Sequence, residues 1–454
     1  MPFGAARHSG YAAALPVSFR RPAIGFAALL LLGLAVFGLS ARSDAAATGV
    51  TGINSTACGA VQYGGSGAAQ ALIVSDLPLQ GDSRQRSLQM NDAIRLVLEG
   101  AKWHAGKRNV AFQACDDSSA KTGLWTKAQC KANARAYAAD PSVLGVVGTY
   151  NSGCAELMIP ILGTAPGGGL AMVSPGNTSI CLTQSSPSCR AGEPKSLYPA
   201  RRNYARVVPN DAYQGAGLAS FARLQAIDRA FILYAGGDPT SLGQAKTFRG
   251  AARKLGIEIV GFRAWNPKAS NYMSLMRSVA MAAPDGVLLA GLTEENGARL
   301  IKDKVAVLGS NNGVKLLAPD GFAQQSTIDL AGSASRGMFV SVPGLVPQDL
   351  KGPGRQLVNE LKREIGGPVE LFAPYAGQAA SVLLDAIGAG GERGGVIDAV
   401  RKTKVENGII GSFQILASGD PSVGPITVSV AKSSFVPSRV ITPGQSLVKA
   451  ARGG

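Results

Sequence analysis

Two hydroxyl-bearing loops and one acid are the residues of this sequence best suited to chemistry. The first loop is Gly148-Thr-Tyr-Asn-Ser-Gly-Cys-Ala-Glu156. It follows Ser142-Val-Leu-Gly-Val-Val147, an apolar run that reads as a fully buried parallel strand. It leads into Ala155-Glu-Leu-Met-Ile159, which can continue as a helix to Pro160. A small-residue loop between a strand end and a helix start suits an anion. The first helical N–H groups lack internal partners, and the helix dipole favours negative charge there. Ser152 adds a hydroxyl donor; its plainer role would be to cap the helix. A second copy follows one strand later, Leu170-Ala-Met-Val173 and then Ser174-Pro-Gly-Asn-Thr-Ser179. Two such loops on one sheet edge suggest a carboxylate clamp. The acid is Asp320 in Ala318-Pro-Asp-Gly-Phe322, at the C-terminal end of a predicted strand, where it would face a cleft. Clamp and acid together match a zwitterion, carboxylate on one side and ammonium on Asp320. The plainer role of Asp320 is an Asx turn before Gly321.

Other chemistry is thin. No G-x-S-x-G, H-E-x-x-H or G-x-x-x-x-G-K-[ST] occurs. The only histidines are His8 and His104, and His104 lies in a polar helix exit that reads as solvated. Gly215-Ala-Gly217 begins a dinucleotide fingerprint, but Ser220 replaces its third glycine. The six cysteines (Cys58, Cys115, Cys130, Cys154, Cys181, Cys189) contain no C-x-x-C pair, which argues against zinc. Their even number in an exported chain favours disulfides. Cys181 and Cys189 close a local loop, and Cys115 could reach Cys130 or Cys154. The sequence therefore implies no cofactor, no metal and no enzyme.

The formal charge is +16. Residues 1–47 account for a net +3 of it, which leaves +13. The basic residues are scattered through amphipathic helices and never interleave with aromatics, so nucleic-acid binding is not indicated. Attraction to an anionic envelope surface, or solubility, accounts for the charge.

A polar, basic start precedes Ile24 to Leu39, an apolar run of 16 residues, and then Ala45-Ala-Ala47. This reads as a secretory leader, the run being short for a bilayer span; the alternative is a retained N-terminal anchor. Residues 48–68 are Gly/Ser-rich and irregular. At 454 residues the chain is too long for one ordinary core. Strand and helix alternate from Ala71 onward, so the sheets are expected to be mainly parallel. The rhythm restarts after Pro209-Asn-Asp-Ala-Tyr-Gln-Gly215, which reads as a crossover into a second lobe. Lobe 1 is assigned 69–210 and 345–411, lobe 2 is assigned 211–344 and 412–445, and 446–454 form a tail. Ile409 to Leu416 and Ile426 to Val430 read as a closing hairpin.

These loops, in this order, resemble the periplasmic leucine/isoleucine/valine-binding proteins, the type I solute-binding components of ABC importers. The resemblance runs from about residue 70 to 430. Asn151-Ser-Gly resembles the family's first carboxylate-binding loop, which implies that Ser152 donates from hydroxyl and N–H. Met172-Val-Ser-Pro-Gly-Asn-Thr178 resembles the second, with the Gly176 carbonyl toward the ammonium and Thr178 contacting both charged groups. Pro319-Asp-Gly resembles the segment carrying the ammonium-binding acid, normally Glu, so Asp320 inherits that role with a shorter reach. Phe372-Ala-Pro-Tyr375 resembles the stretch whose Tyr lines the cleft. There are departures. Leu292 stands where an aromatic is usual, Leu242 replaces a Tyr before Gly243, and Tyr213 stands where an acid is common. Leu242 and Leu292 suit packing as well as ligand contact.

The resemblance implies an α/β, two-lobed type I fold, each lobe a mainly parallel sheet flanked by helices, joined by a multi-segment hinge. It also implies an exported monomer, periplasmic or at the cell surface, that delivers an amino acid, branched-chain or related, to an ABC permease. An amino-acid-sensing or amide-sensing ectodomain is the first alternative; an amide-processing enzyme is the second.

Overall fold

The computed structural model describes residues 49–454; the leader or anchor expected over 1–47 lies outside the described residues. The first sheet is built from β1 (Ala71–Leu77), β2 (His104–Ala105), β3 (Arg108–Asp116), β4 (Val143–Gly148), β5 (Ala171–Ser174) and β6 (Tyr204–Arg206). Between them run α1 (Arg84–Gly100), α2 (Lys127–Ala139) and α3 (Ser152–Gly163). The second sheet uses β7 (Arg229–Ala235), β8 (Glu258–Trp265), β9 (Gly286–Ala290), β10 (Lys315–Ala318) and β11 (Phe339–Pro343). Its connections carry α4 (Asp211–Leu224), α5 (Pro239–Lys254), α6 (Met273–Met281), α7 (Ala298–Leu308) and α8 (Gln325–Ala331). The chain continues through α9 (Pro353–Ile365), α10 (Ala373–Gly390) and α11 (Arg393–Arg401). It ends with β12 (Lys404–Gly408), β13 (Gly411–Gln414), β14 (Ile426–Ala431), β15 (Phe435–Ile441) and α12 (Gln445–Arg452).

The strand orders are β2-β3-β1-β4-β5-β6 and β15-β14-β11-β10-β9-β7-β8. Stripped of antiparallel additions, each is the doubly wound order 2-1-3-4-5, which opens a ligand-binding crevice at the strands' carboxyl ends. The parallel strands are apolar on both faces because helices cover both. In β1, Ala71 and Ile73 pack into one buried cluster with α10, while Leu72 and Val74 pack into another with α2 and α3. In the second sheet Ile232, Leu288 and Val428 join Phe248 of α5 and Val448 of α12. Caps set the helix starts. Thr126 accepts from the Gln129 N–H at 3.1 Å to start α2, and Asp238 accepts from Thr240 and Ser241 ahead of Pro239 to start α5.

The chain passes between the two halves at 207–210, at 344–352 and at 415–425, so the hinge has several segments. Two expectations need correction. The stretches 409–416 and 426–430 do not pair with each other: β13 pairs with β12, and β14 lies between β11 and β15. A hairpin is ruled out because the chain leaves the first half after β13 and joins the second sheet only at β14. Cys115 bonds neither Cys130 nor Cys154 but Cys58, while Cys130 bonds Cys154; Cys181 and Cys189 do close a local loop. The Cys58 bond fastens the N-terminal segment onto β3, where Gln113 also bonds the Ile53 backbone through both ends of its amide. His104, four residues past the end of α1, is exposed as its polar surroundings imply, and pairs with Asn109 in β2.

Candidate functional site

The loops after β4 and β5 are neighbours because the strands are: Val147 pairs with Val173 in parallel. Side chains bolt them together. Ser174 Oγ donates to the Thr149 carbonyl at 2.9 Å and accepts from Asn177 N–H at 2.8 Å. The Asn177 amide donates to the Tyr150 carbonyl at 2.9 Å and accepts from Tyr204 Oη at 3.2 Å. Ser152 is the first residue of α3, one place inside the Asn151 cap, so it does not serve as the cap. Its hydroxyl instead accepts from the Ser179 N–H at 3.2 Å, which ties the second loop to the first. Two glycines permit close approach. A Cβ on Gly153 would lie 2.6 Å from the Trp125 ring, and one on Gly176 would lie 2.9 Å from Tyr150.

Behind the second loop, Arg206 of β6 is fully buried and bonded through all three of its side-chain nitrogens. It bonds Asp420 Oδ1 at 2.9 Å, the Asn177 carbonyl at 2.9 Å, the Ser179 carbonyl at 2.8 Å and Thr183 Oγ1 at 2.5 Å. Asp420 belongs to the third hinge segment and also accepts from Gln184 and Ser418. Burial opposes its ionisation, but Arg206 and these donors hold its carboxyl below the usual range. One ion pair thus fixes both a hinge strand and the loop carrying Thr178.

On the opposite wall, Asp320 opens a single 3₁₀ turn after β10 and is 5% exposed. Gln214 Nε2 donates to its Oδ1 at 2.7 Å, and Gln244 Nε2 stands 3.3 Å from the same atom. Both amides also reach Asp211 Oδ1, at 3.3 Å, so two buried carboxyls share two donors. Burial, then repulsion from Asp320, pushes Asp211 up to about 7. Burial raises Asp320 as well, against the Gln214 bond and the Arg86 charge. This cluster favours a cation, because an ammonium placed there would ionise both groups. Sequence reading missed Asp211, Gln214 and Gln244. They lie on α4 and α5, at helical spacing that carries no mark of a site until the sheet brings them to Asp320.

A cleft of about 810 Å³ lies between the walls. Asn151, Ser152, Gly176 and Thr178 line it from the first half, Leu292 and Asp320 from the second. Tyr150, Trp125 and Gln244 complete the wall around them, and Lys268, Glu294 and Glu295 line it farther along. Burial, then Asp238, lifts Glu295 to about 8. Ser83 donates to Glu294 at 2.6 Å, a direct bond between the two halves. Three residues singled out from the sequence lie off this lining. Tyr375 is 2% exposed on α10, and its hydroxyl donates to the Leu345 carbonyl of the second hinge segment at 2.9 Å. Tyr213, on α4, packs against Gly424 of the third hinge segment, where a Cβ would lie 2.1 Å from its ring. Leu242 is half-buried on α5.

A doubly wound pair of sheets with a polar cleft at their facing carboxyl ends defines a two-lobed solute-binding fold. The chain belongs to the periplasmic binding protein family, which matches residues 77–433. It is similar to the leucine-binding protein LivK of Thermotoga maritima, with 22% identity and a TM-score of 0.70 over 82% of this chain and 99% of that one. It is similar too to a substrate-binding protein of an ABC transporter from Desulfitobacterium hafniense in complex with Leu, at 21% identity and TM-score 0.66 over 81% and 99%. A third likeness is to an ABC-transporter solute-binding protein from R. palustris in complex with benzoate, at 18% identity and TM-score 0.66 over 83% and 97%. No curated protein matches the sequence. Membership of a periplasmic binding protein family implies an extracytoplasmic place of work. Among the described residues no helix is long and apolar enough to cross a membrane.

Proposed function

We propose that this protein captures an amino acid between its two halves and presents it to an ABC permease. The observation that carries the reading is that a hydroxyl-and-amide clamp and the buried Asp320 carboxyl line one cleft from opposite walls, with Asp211 behind Asp320. Ser152 and the N–H groups at the start of α3 receive the carboxylate, with Thr178 beside them. Asp320, backed by Asp211, receives the ammonium. Asn151 and Gly176 shape the clamp, and Leu292 covers part of the guest. Tyr375 and Tyr213 act indirectly, by holding hinge segments. Closing the walls expels water and strengthens both charged contacts.

The reading is set at the level of the main-chain groups, which every amino acid shares. A thermal-shift screen of the common amino acids tests it. A specific guest at 100-fold excess over its dissociation constant adds about 2.7 kcal/mol of stability and a clear rise in melting temperature. If no amino acid moves the transition while benzoate does, the assignment of Asp320 to an ammonium fails.

A further inference from the structure

Arg86 sits in the first turn of α1 and is 2% exposed. Its Nη1 donates to Tyr150 Oη. Its Cζ lies 4.9 Å from the Tyr150 ring centre and 5.6 Å from that of Phe372, so two aromatics fix the guanidinium plane. The remaining edge, Nε and Nη2, is buried with no hydrogen-bond partner. Asp320 and Glu370 feel its charge, and burial raises both against it, yet neither bonds it. A cation with two dry donors is costly unless something meets them. Nε–H and Nη2–H point the same way at a spacing that suits the two oxygens of a carboxylate. A carbonyl satisfies only one of them, and an alkyl chain neither. Arg86 lies just behind the cleft lining, to which Tyr150, its hydrogen-bond partner, and Asp320, which feels its charge, both belong.

We infer that Arg86 determines specificity, and that the guest is an amino acid with a second carboxylate on its side chain. The inference rests on the amino-acid reading above: Ser152 and Thr178 take the main-chain carboxylate and Asp320 the ammonium, which leaves Arg86 for the side chain. The rival role, simple charge balance for Asp320 and Glu370, makes binding indifferent to the guest's side-chain charge.

Calorimetric titration of the full-length protein separates the two. The probes are glutamate, aspartate, 2-aminoadipate, glutamine, leucine and 4-hydroxybenzoate. At least one dicarboxylic amino acid binds about 10-fold or more tightly than glutamine and leucine, the margin of one charge-assisted pair over a neutral contact. Arg86→Lys keeps the charge but loses the fork; it and Arg86→Met abolish that preference while leaving any leucine or glutamine binding within about 3-fold. If glutamine or leucine matches or exceeds every dicarboxylic probe on the unaltered protein, the Arg86 assignment falls and the amino-acid reading stands. If no amino acid binds and 4-hydroxybenzoate does, both fall. Should the Arg86 variants not fold, the ratio of the tightest dicarboxylic probe to glutamine and leucine on the unaltered protein still decides.

Discussion

At the scale of single residues, the two ends of the guest are held by unequal means, and substitutions should show it. Ser152 supplies one hydroxyl among several donors, so Ser152→Ala should weaken amino-acid binding by about 1–2 kcal/mol, one hydrogen bond to a charged group. The loss of its contact with the Ser179 N–H adds some play to the second loop. Asp320→Asn takes the charge from the acid that meets the ammonium and leaves only Asp211 behind the two amides, and should cost on the order of 2–4 kcal/mol. Calorimetry of both variants against the same amino acid measures the two losses; an equal or reversed order would mean that Asp320 does not meet the ammonium. The sequence displayed Ser152, Thr178 and Asp320 because each stands in a loop of small residues where a strand ends. It could not display Asp211, Gln214, Gln244 or Arg86. These are helical residues whose spacing also fits an ordinary polar face, and only tertiary packing buries them beside the cleft.

At the scale of elements, the loop bearing Thr178 is positioned from behind by Arg206 and Asp420, residues 214 apart in the chain. Removing one partner of a buried, bonded ion pair leaves the other charge uncompensated, so Arg206→Met or Asp420→Asn should each destabilise the fold by about 3–5 kcal/mol. Replacing both should cost less than the sum of the two single changes, because the double variant leaves no orphan charge. Denaturant unfolding of the three variants checks this; strict additivity would mean that the pair is not coupled. The regular elements were legible because their apolar runs are long and the α-helical spacing is clean, as in α1 and α5. The closing strands were not. Ile409 to Leu416 and Ile426 to Val430 both carry strand-forming residues, and alternation alone does not say which sheet a strand joins. The disulfides were hidden for a similar reason, since partner choice depends on where β3 meets the N-terminal segment.

At the scale of the whole molecule, the repeated 2-1-3-4-5 order makes two walls that face each other, and the acids buried in and behind them couple folding, binding and pH. Burial lifts Asp76 and Asp211 to about 7 and Glu295 to about 8, all above their values in an unfolded chain. The folded state therefore holds more protons than the unfolded one between about pH 4 and 8, and the linkage slope is negative there. These groups weaken the unliganded protein progressively as pH rises through that window. Lys304, lowered to about 8 by burial, begins to return stability only above it. The melting temperature without guest should thus fall from pH 5 to pH 8. An amino acid reverses part of this, because its ammonium ionises the Asp211–Asp320 pair. Its binding should release protons near pH 7 and tighten as pH approaches 8. Titration calorimetry at pH 7 in buffers of different ionisation heat would read the proton release directly. Heats independent of the buffer, together with a flat melting temperature over the same range, would mean that the carboxyl pair is already ionised before the guest arrives.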